Sequence, residues 1–103
     1  MQSYSLSHLA SPVLLRNTVT LVAQDRATTA ALLAHLAEVD ARKLFRPAGY
    51  PSMTEWCVGA LKLSEDAAGM RLRVARRARE HPVIFRMVED GRLSLTVVSQ
   101  FDR

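Results

Sequence analysis

Residues 63–79 read LSEDAAGMRLRVARRAR, and this stretch indicates the fold more strongly than any other part of the chain. Ser64 is a typical helix N-cap, and Glu65 and Asp66 follow it where the helix dipole favours negative charge. Five arginines then occur in nine residues, among small and apolar ones. The stretch therefore predicts a capped, arginine-rich helix over residues 65–80.

A second, shorter helix is predicted immediately before this one. Ser52 and Glu55 have the spacing of a capping box, in which the serine oxygen accepts a backbone N–H and the glutamate returns to the N–H of the serine. A helix over residues 53–61 would leave only residues 62–64 as the turn. Helix, short turn and arginine-rich helix together resemble the outline of a helix-turn-helix pair.

The first helix is predicted to be long. No Gly or Pro occurs from Val13 to Phe45, and apolar residues recur near one face at the helical period. A continuous helix of that length would span about 50 Å at ~1.5 Å per residue, which exceeds the size of a compact domain of about 100 residues. The helix therefore either breaks near 17–20 or 28–29, or projects and packs on another chain, and projection is favoured. Pro47 and Gly49 are expected to end it.

The remaining chain adds two short helices, because Pro82 can begin one and Gly91 and Ser94 have the character of a helix end and a new N-cap. The predicted fold is all-α, a long N-terminal helix followed by a cluster of short helices. We expect a flexible lead-in over residues 1–11 and a single helical domain over residues 12–103. The predicted helices cover residues 13–45, 53–61, 65–80, 83–90 and 95–102. The predicted core contains Trp56, Leu61, Leu63, Leu72, Val74, Ile84, Phe85 and Val88.

Composition narrows the classes of function. The chain carries a net charge of +4 and is 49% hydrophobic, which argues against disorder and allows a polyanionic partner. Cys57 is the single cysteine, so a zinc site built on cysteine pairs is excluded. The three histidines have no metal-ligand spacing, and no catalytic constellation is recognisable. We expect no enzyme activity, metal, cofactor, small-molecule substrate or membrane span, and a cytoplasmic location.

The arginine-rich helix offers a candidate nucleic-acid surface. Arg73, Arg76 and Arg77 fall within about 100° of arc at the helical period, with Lys62 and Arg79 flanking them. Arginines in this arrangement could contact phosphates or base edges. The alternative is a solvated basic face that keeps a small domain soluble.

Arg71 differs from the other arginines of this helix. It lies about 160° from Arg73 at the helical period, on the apolar side, where a guanidinium must be paired or must extend to solvent. We expect a structural ion pair with Asp40 as first choice and Asp25 as second, or contacts with helix-end carbonyls.

Several ordered motifs resemble those of a known protein region. They are TTAALLAHLAEVDAR (residues 28–42), AGYPSM (48–53), Cys57, LSEDAA (63–68) and GRLSL (91–95). Together they resemble the helical N-terminal region, of undefined function, that precedes the nuclease domain in bacterial HNH-endonuclease-like proteins. The resemblance covers roughly residues 21–100. It implies an accessory or DNA-engaging domain that lacks the His-Asn-His metal site of the nuclease.

Two function classes follow from the sequence. The leading expectation is non-catalytic binding of DNA, or with less support RNA, through Arg73, Arg76 and Arg77. The competing expectation is a protein-interaction or dimerisation module that uses the apolar surface of the long first helix. The two are compatible, since helix-turn-helix proteins often dimerise to read paired half-sites.

Overall fold

The computed structural model describes residues 4–100, which form five helices and, within that range, no strand. The helices are α1 (Ser11–Arg42), α2 (Met53–Gly59), α3 (Glu65–Glu80), α4 (Val83–Glu89) and α5 (Leu95–Gln100). The predicted all-α fold, with a long first helix followed by short ones, is confirmed. The predicted end of the last helix at residue 102 lies outside the described residues.

Local backbone chemistry sets the helix ends. α1 begins two residues before its predicted start, α4 ends one residue before its predicted end, and α1 and α2 also end earlier than predicted. α1 ends at Lys43, which adopts a left-handed conformation (φ 54°) and donates its N–H to the carbonyls of Asp40 and Val39, so the helix stops before Pro47 is reached. Ser52 caps α2 as predicted, its hydroxyl accepting the Glu55 N–H at 3.1 Å. α2 ends at Gly59, and the turn before α3 therefore spans residues 60–64 rather than 62–64.

Helix α3 lies at the centre of the molecule and packs against each of the other four helices. Three of its five buried residues are alanines, which let neighbouring helices approach closely. The fully buried large side chains of the described chain are Leu33 and Leu36 from α1, Cys57 from α2, and Leu72 and Val74 from α3. The core is thus built where the C-terminal half of α1 crosses α3.

The predicted core is partly correct. Leu72, Val74 and Val88 are buried, and a second group lies half-buried against them: Trp56, Leu63, Ile84 and Phe85. Leu61 was wrongly placed in the core and is exposed. Because α2 ends at Gly59, Leu61 no longer follows the helical period that would have turned it inward.

Helix α1 is unbroken and extends beyond the body, as predicted, whereas its packing on another chain stays a prediction. Its 32 residues span about 48 Å at ~1.5 Å per residue, close to the longest dimension of the molecule, 50 Å. The radius of gyration is 16.4 Å, against roughly 13 Å for a compact domain of ~100 residues. Burial along α1 begins only at Ala30, so the N-terminal half of the helix extends beyond the body formed by the other helices.

A matched pair of substitutions tests this division of α1. Leu15 and Leu33 lie on the same side of the helix, eighteen residues or about five turns apart, but Leu15 is 67% exposed and Leu33 is 0% exposed. Leu33→Ala should lower the free energy of unfolding by about 2–5 kcal/mol through lost burial and a cavity. Leu15→Ala should change it by less than about 0.5 kcal/mol. Urea denaturation at low micromolar protein measures both, and equal losses would contradict the structure.

Candidate functional site

The outward side of α3 carries most of the predicted nucleic-acid-binding residues. Ala68, Leu72 and Ala75 turn inward, which leaves Arg73, Arg76 and Arg79 exposed and Arg77 half-buried. Lys62 is also exposed, in the turn before α3, and has a left-handed backbone conformation (φ 63°). These five residues are called the arginine face below.

Two members of the arginine face are bound to α1. Arg76 Nε donates to Asp40 Oδ2 at 2.8 Å and Arg76 Nη2 donates to Asp40 Oδ1 at 3.1 Å. This two-pronged arrangement is the strongest geometry for an arginine–carboxylate pair. Arg79 Nη1 donates to Glu38 Oε1 at 3.1 Å and to the Ala37 carbonyl at 3.4 Å. Both arginines therefore help to hold α3 against α1.

The other members of the arginine face are held loosely or remain unpaired. Arg77 Nη1 lies 3.9 Å from Glu80 Oε2, at the limit of an ion pair. Arg73 and Lys62 have no carboxylate within 4 Å among residues 4–100. Arg73 folds back over Gly69, since a Cβ added there would lie 3.3 Å from Arg73 Nη1. The space above Gly69 is thus taken by the guanidinium of Arg73.

Carboxylates offset part of the positive charge on this side of the molecule. Against its arginines stand Glu38 and Asp40 on α1, and Asp66 and Glu80 at the two ends of α3. Hydrogen bonds from Arg42 first, and then from Arg79, hold the pKa of Glu38 below its ordinary value. Glu38 thus stays ionised at neutral pH, and its contribution to stability is lost as the pH falls through that lowered pKa.

The predicted ion pair of Arg71 with Asp40 is wrong. Asp40 is taken by Arg76, and Arg71 has no carboxylate within 4 Å in the described chain. Arg71 does lie on the other side of α3 from Arg73, as expected, but there it lines a cavity with Asp25 and Arg26 of α1. The helical period correctly separated Arg71 from Arg73, whereas the crossing of α1 over α3 decided which arginine meets Asp40.

Cys57 behaves as a core residue. Its side chain is fully buried, and this burial, together with the negative charge of Asp40, raises the pKa of its thiol. A thiol that remains protonated at neutral pH is a poor nucleophile and a poor metal ligand. Residues 4–100 contain no cluster of three or more His, Cys, Asp or Glu side chains that could hold a metal ion.

A second candidate surface is the N-terminal half of α1. We call residues 11–25 the projecting segment. Leu15, Val19 and Val22 are 67%, 69% and 47% exposed, and Leu14 and Leu21 are also exposed. Arg16 is the single charged residue between positions 11 and 24. Sequence periodicity identified the apolar face, but only the position of the body shows which part of that face stays uncovered.

None of the helices in residues 4–100 combines the length and the apolar character that crossing a membrane requires. An apolar projecting helix can contact a bilayer surface, but such helices carry Lys and Arg on their polar side. Arg16 is the single basic residue of the projecting segment.

The Arg76–Asp40 pair gives a prediction that separates structural from exposed arginines. In a double-mutant cycle of Arg76→Ala and Asp40→Ala, we expect a coupling of about 1 kcal/mol, the upper end for a pair this accessible. Arg73→Ala should change the free energy of unfolding by less than about 0.5 kcal/mol. Chemical denaturation measures the free energy of unfolding of the wild-type chain, of the two single variants and of the double variant. Zero coupling, with a loss of stability in Arg73→Ala, would show that α3 is rotated from the orientation described.

Comparison of the chain with models of known protein families, with curated proteins and with solved structures found no match.

Proposed function

We propose that this chain is a non-catalytic interaction domain that pairs with a second copy of itself through the projecting segment of α1. The observation that carries the proposal is the exposure of Leu15, Val19 and Val22 on the side of α1 that is buried further along the helix. A contiguous apolar surface of this kind on a small domain marks a contact site more often than a solvated face.

The spacing of residues along α1 supports helix pairing. Starting at residue 15, positions 19, 22, 26, 29, 33 and 36 follow at alternating steps of four and three, the spacing of a coiled-coil heptad. The residues at these positions are apolar except for Arg26 and Thr29. We call this line of residues the heptad seam. Its later members Leu33 and Leu36 are buried in the chain's own core. The same seam thus packs within the chain at one end and is free among the described residues at the other.

The position of the body fixes the direction of the pairing. Because the body occupies the seam side of α1 from about Arg26 onward, two copies aligned in parallel would place both bodies in the same space. In an antiparallel pair, the projecting segment of each copy covers that of the other. The body of each copy then starts level with the N-terminus of the other copy's α1. The antiparallel arrangement is therefore the one that covers both segments.

Charge also favours a second copy as the occupant. The first turn of α1 has no acidic residue, and Ala10 supplies no side-chain cap, so the positive end of the helix dipole is uncompensated. When Leu15 lies against Val22 of the second copy, Asp25 lies level with Pro12 of that copy. Each Asp25 then approaches the uncompensated helix end of its partner. The segment is short, so the interface falls at the small end of specific interfaces and the association is weak.

Substitution in the middle of the heptad seam tests the proposal. Val19→Asp places two charges in the centre of the pair and should abolish self-association. Thr20→Asp adds the same charge to the opposite side of the helix and should preserve it. Sedimentation equilibrium over a wide range of protein concentration measures the mass of each variant. A wild-type chain that stays monomeric at the highest concentration, or a Val19→Asp variant that associates like wild type, would contradict the proposal.

Binding of nucleic acid is the second candidate function, and it follows from the exposure of Arg73 and Lys62 without carboxylate partners among residues 4–100. It would suit the accessory role beside an HNH nuclease that the resemblance implies. The intramolecular pairs of Arg76 and Arg79 weaken this candidate, because a phosphate would have to compete with Asp40 and Glu38 for them. A nucleic-acid surface would then depend mainly on Lys62, Arg73 and Arg77, with DNA favoured over RNA.

A salt titration tests this second candidate. If Lys62, Arg73 and Arg77 contact phosphates, duplex DNA affinity should fall with salt by a log–log slope of about 0.9 per contact. The Arg73→Ala/Arg77→Ala double variant should reduce that slope by about two contacts. Arg86→Ala, which removes a charge from the exposed side of α4, serves as the control. Fluorescence anisotropy at several salt concentrations reports the slope, and a slope unchanged in the double variant would exclude this surface.

A further inference from the structure

The cavity that contains Arg71 lies away from the arginine face, where the projecting segment meets the body, and Asp25, Arg26 and Thr29 of α1 line it. It has a volume of about 360 Å³, is open to solvent, and lies where α1, α3 and the segment joining α4 to α5 meet. Its walls carry two guanidinium groups, those of Arg26 and Arg71, and two hydroxyl-bearing residues, Thr29 and Ser94. Val88, Leu93 and Leu95 supply apolar wall.

Neither arginine has a counter-charge within ion-pair distance. Among residues 4–100, no carboxylate lies within 4 Å of Arg26 or Arg71, although Asp25 lines the same cavity. Both arginines are half-buried. Two like charges that share a partly desolvated site raise each other's free energy unless an anion lies between them.

The position of Arg26 is constrained by the backbone around it. Its Nε is shielded from solvent and has no hydrogen-bond partner, so part of this guanidinium has lost its hydration without compensation. Its Nη1 lies against Gly91, whose φ is +79°, and a Cβ at that position would be only 2.5 Å from the nitrogen. Gly91 thus provides the space in which the Arg26 guanidinium lies beside the cavity.

We propose that Arg26 and Arg71 form a binding site for an oxyanion, the phosphate or carboxylate group of a small ligand. A guanidinium presents paired N–H donors that match the oxygens of such a group, and Thr29 and Ser94 can add hydroxyl donors. The apolar residues of the wall suit a ligand that is apolar beyond its charged group. Asp25 limits the charge that the site accepts, since it repels a second anionic group.

This assignment changes the role of Arg71. The sequence predicts that Arg71 is paired with a carboxylate or with helix-end carbonyls of the protein itself, and the structure instead places it in one cavity with a second arginine. The ligand supplies the missing negative charge. An anion bound there would also connect α1 to α3 and to the α4–α5 segment. It would therefore stabilise the native state by an amount that rises with the logarithm of its concentration once that concentration exceeds the Kd.

Inorganic phosphate and acetate are the probes that distinguish the two ligand sources. Binding is followed by isothermal titration calorimetry and by the backbone amide shifts of Gly91 and Ser94, at constant ionic strength set with sodium chloride. Protein is kept dilute, so that self-association does not contribute. We expect phosphate, acetate or both to bind to the wild-type chain and to shift these two amides.

Removal of either guanidinium should then weaken binding about tenfold or more, the effect of losing a charge-assisted hydrogen bond. Arg26→Gln and Arg71→Gln make this test. Arg71→Lys keeps the positive charge but lacks the paired N–H donors of a guanidinium, and it should bind with intermediate affinity. Arg16→Gln removes a charge from the same helix outside the cavity and should bind like wild type. Circular dichroism checks that each variant is folded.

Preference for phosphate over acetate would assign the site to phosphate-bearing ligands, and the reverse preference to carboxylates. Absence of binding by both ions to the wild-type chain would overturn the proposal. Equal binding by wild type, Arg26→Gln and Arg71→Gln would also overturn it, because the ions would then be responding to the net charge of the protein.

Discussion

The packing of the C-terminal half of α1 against α3 is the contact on which the rest of this structure depends. Leu33, Leu36 and Ala37 from α1 share one core with Leu72 and Ala75 from α3, and α2, α4 and α5 pack around that core through α3 or α1. Because α1 is longer than the body it supports, the same helix that organises the core leaves its other half uncovered. The exposed segment is a direct consequence of how the core is placed.

The arginines of α3 show that a basic stretch of sequence can stabilise the packing of two helices. Five arginines in one helix suggest a surface for a polyanion, but Arg76 and Arg79 bind Asp40 and Glu38 across the contact with α1. These pairs lie on the solvent side of the packed alanines and limit rotation of α3 against α1. Net positive charge therefore overstates the positive potential of this side, because the compensating carboxylates come from a helix distant in sequence.

Local signals in the sequence were sufficient to predict the number and the approximate positions of the helices. Serine caps at positions 52 and 64 place the starts of α2 and α3, and the absence of Gly and Pro gives the length of α1. The end of α1 was missed, because a left-handed lysine has no sequence signature comparable to glycine. Leu61 was misplaced for a related reason, since the early end of α2 takes it off the helical period.

The contacts between helices could not be predicted from local sequence signals. The periodicity of α3 separates Arg71 from Arg73, but the partner of each arginine depends on how α1 crosses α3, and no local pattern encodes that crossing. The cavity that Arg26 and Arg71 line could not be predicted, because its walls come from α1, α3, α4 and α5, which are distant in sequence. Likewise, the spacing of the heptad seam runs along most of α1, and the point at which the chain stops covering the seam is a property of the fold.

Hydrogen exchange at two protein concentrations tests most directly whether the projecting segment is a contact surface. The account predicts that backbone amides of residues 13–24 exchange rapidly in dilute protein, because one exposed helix half has little tertiary support. The same amides should become protected as concentration rises, while those of residues 30–40 remain equally protected throughout. Exchange in residues 13–24 that is independent of concentration would contradict the pairing of two chains through this segment.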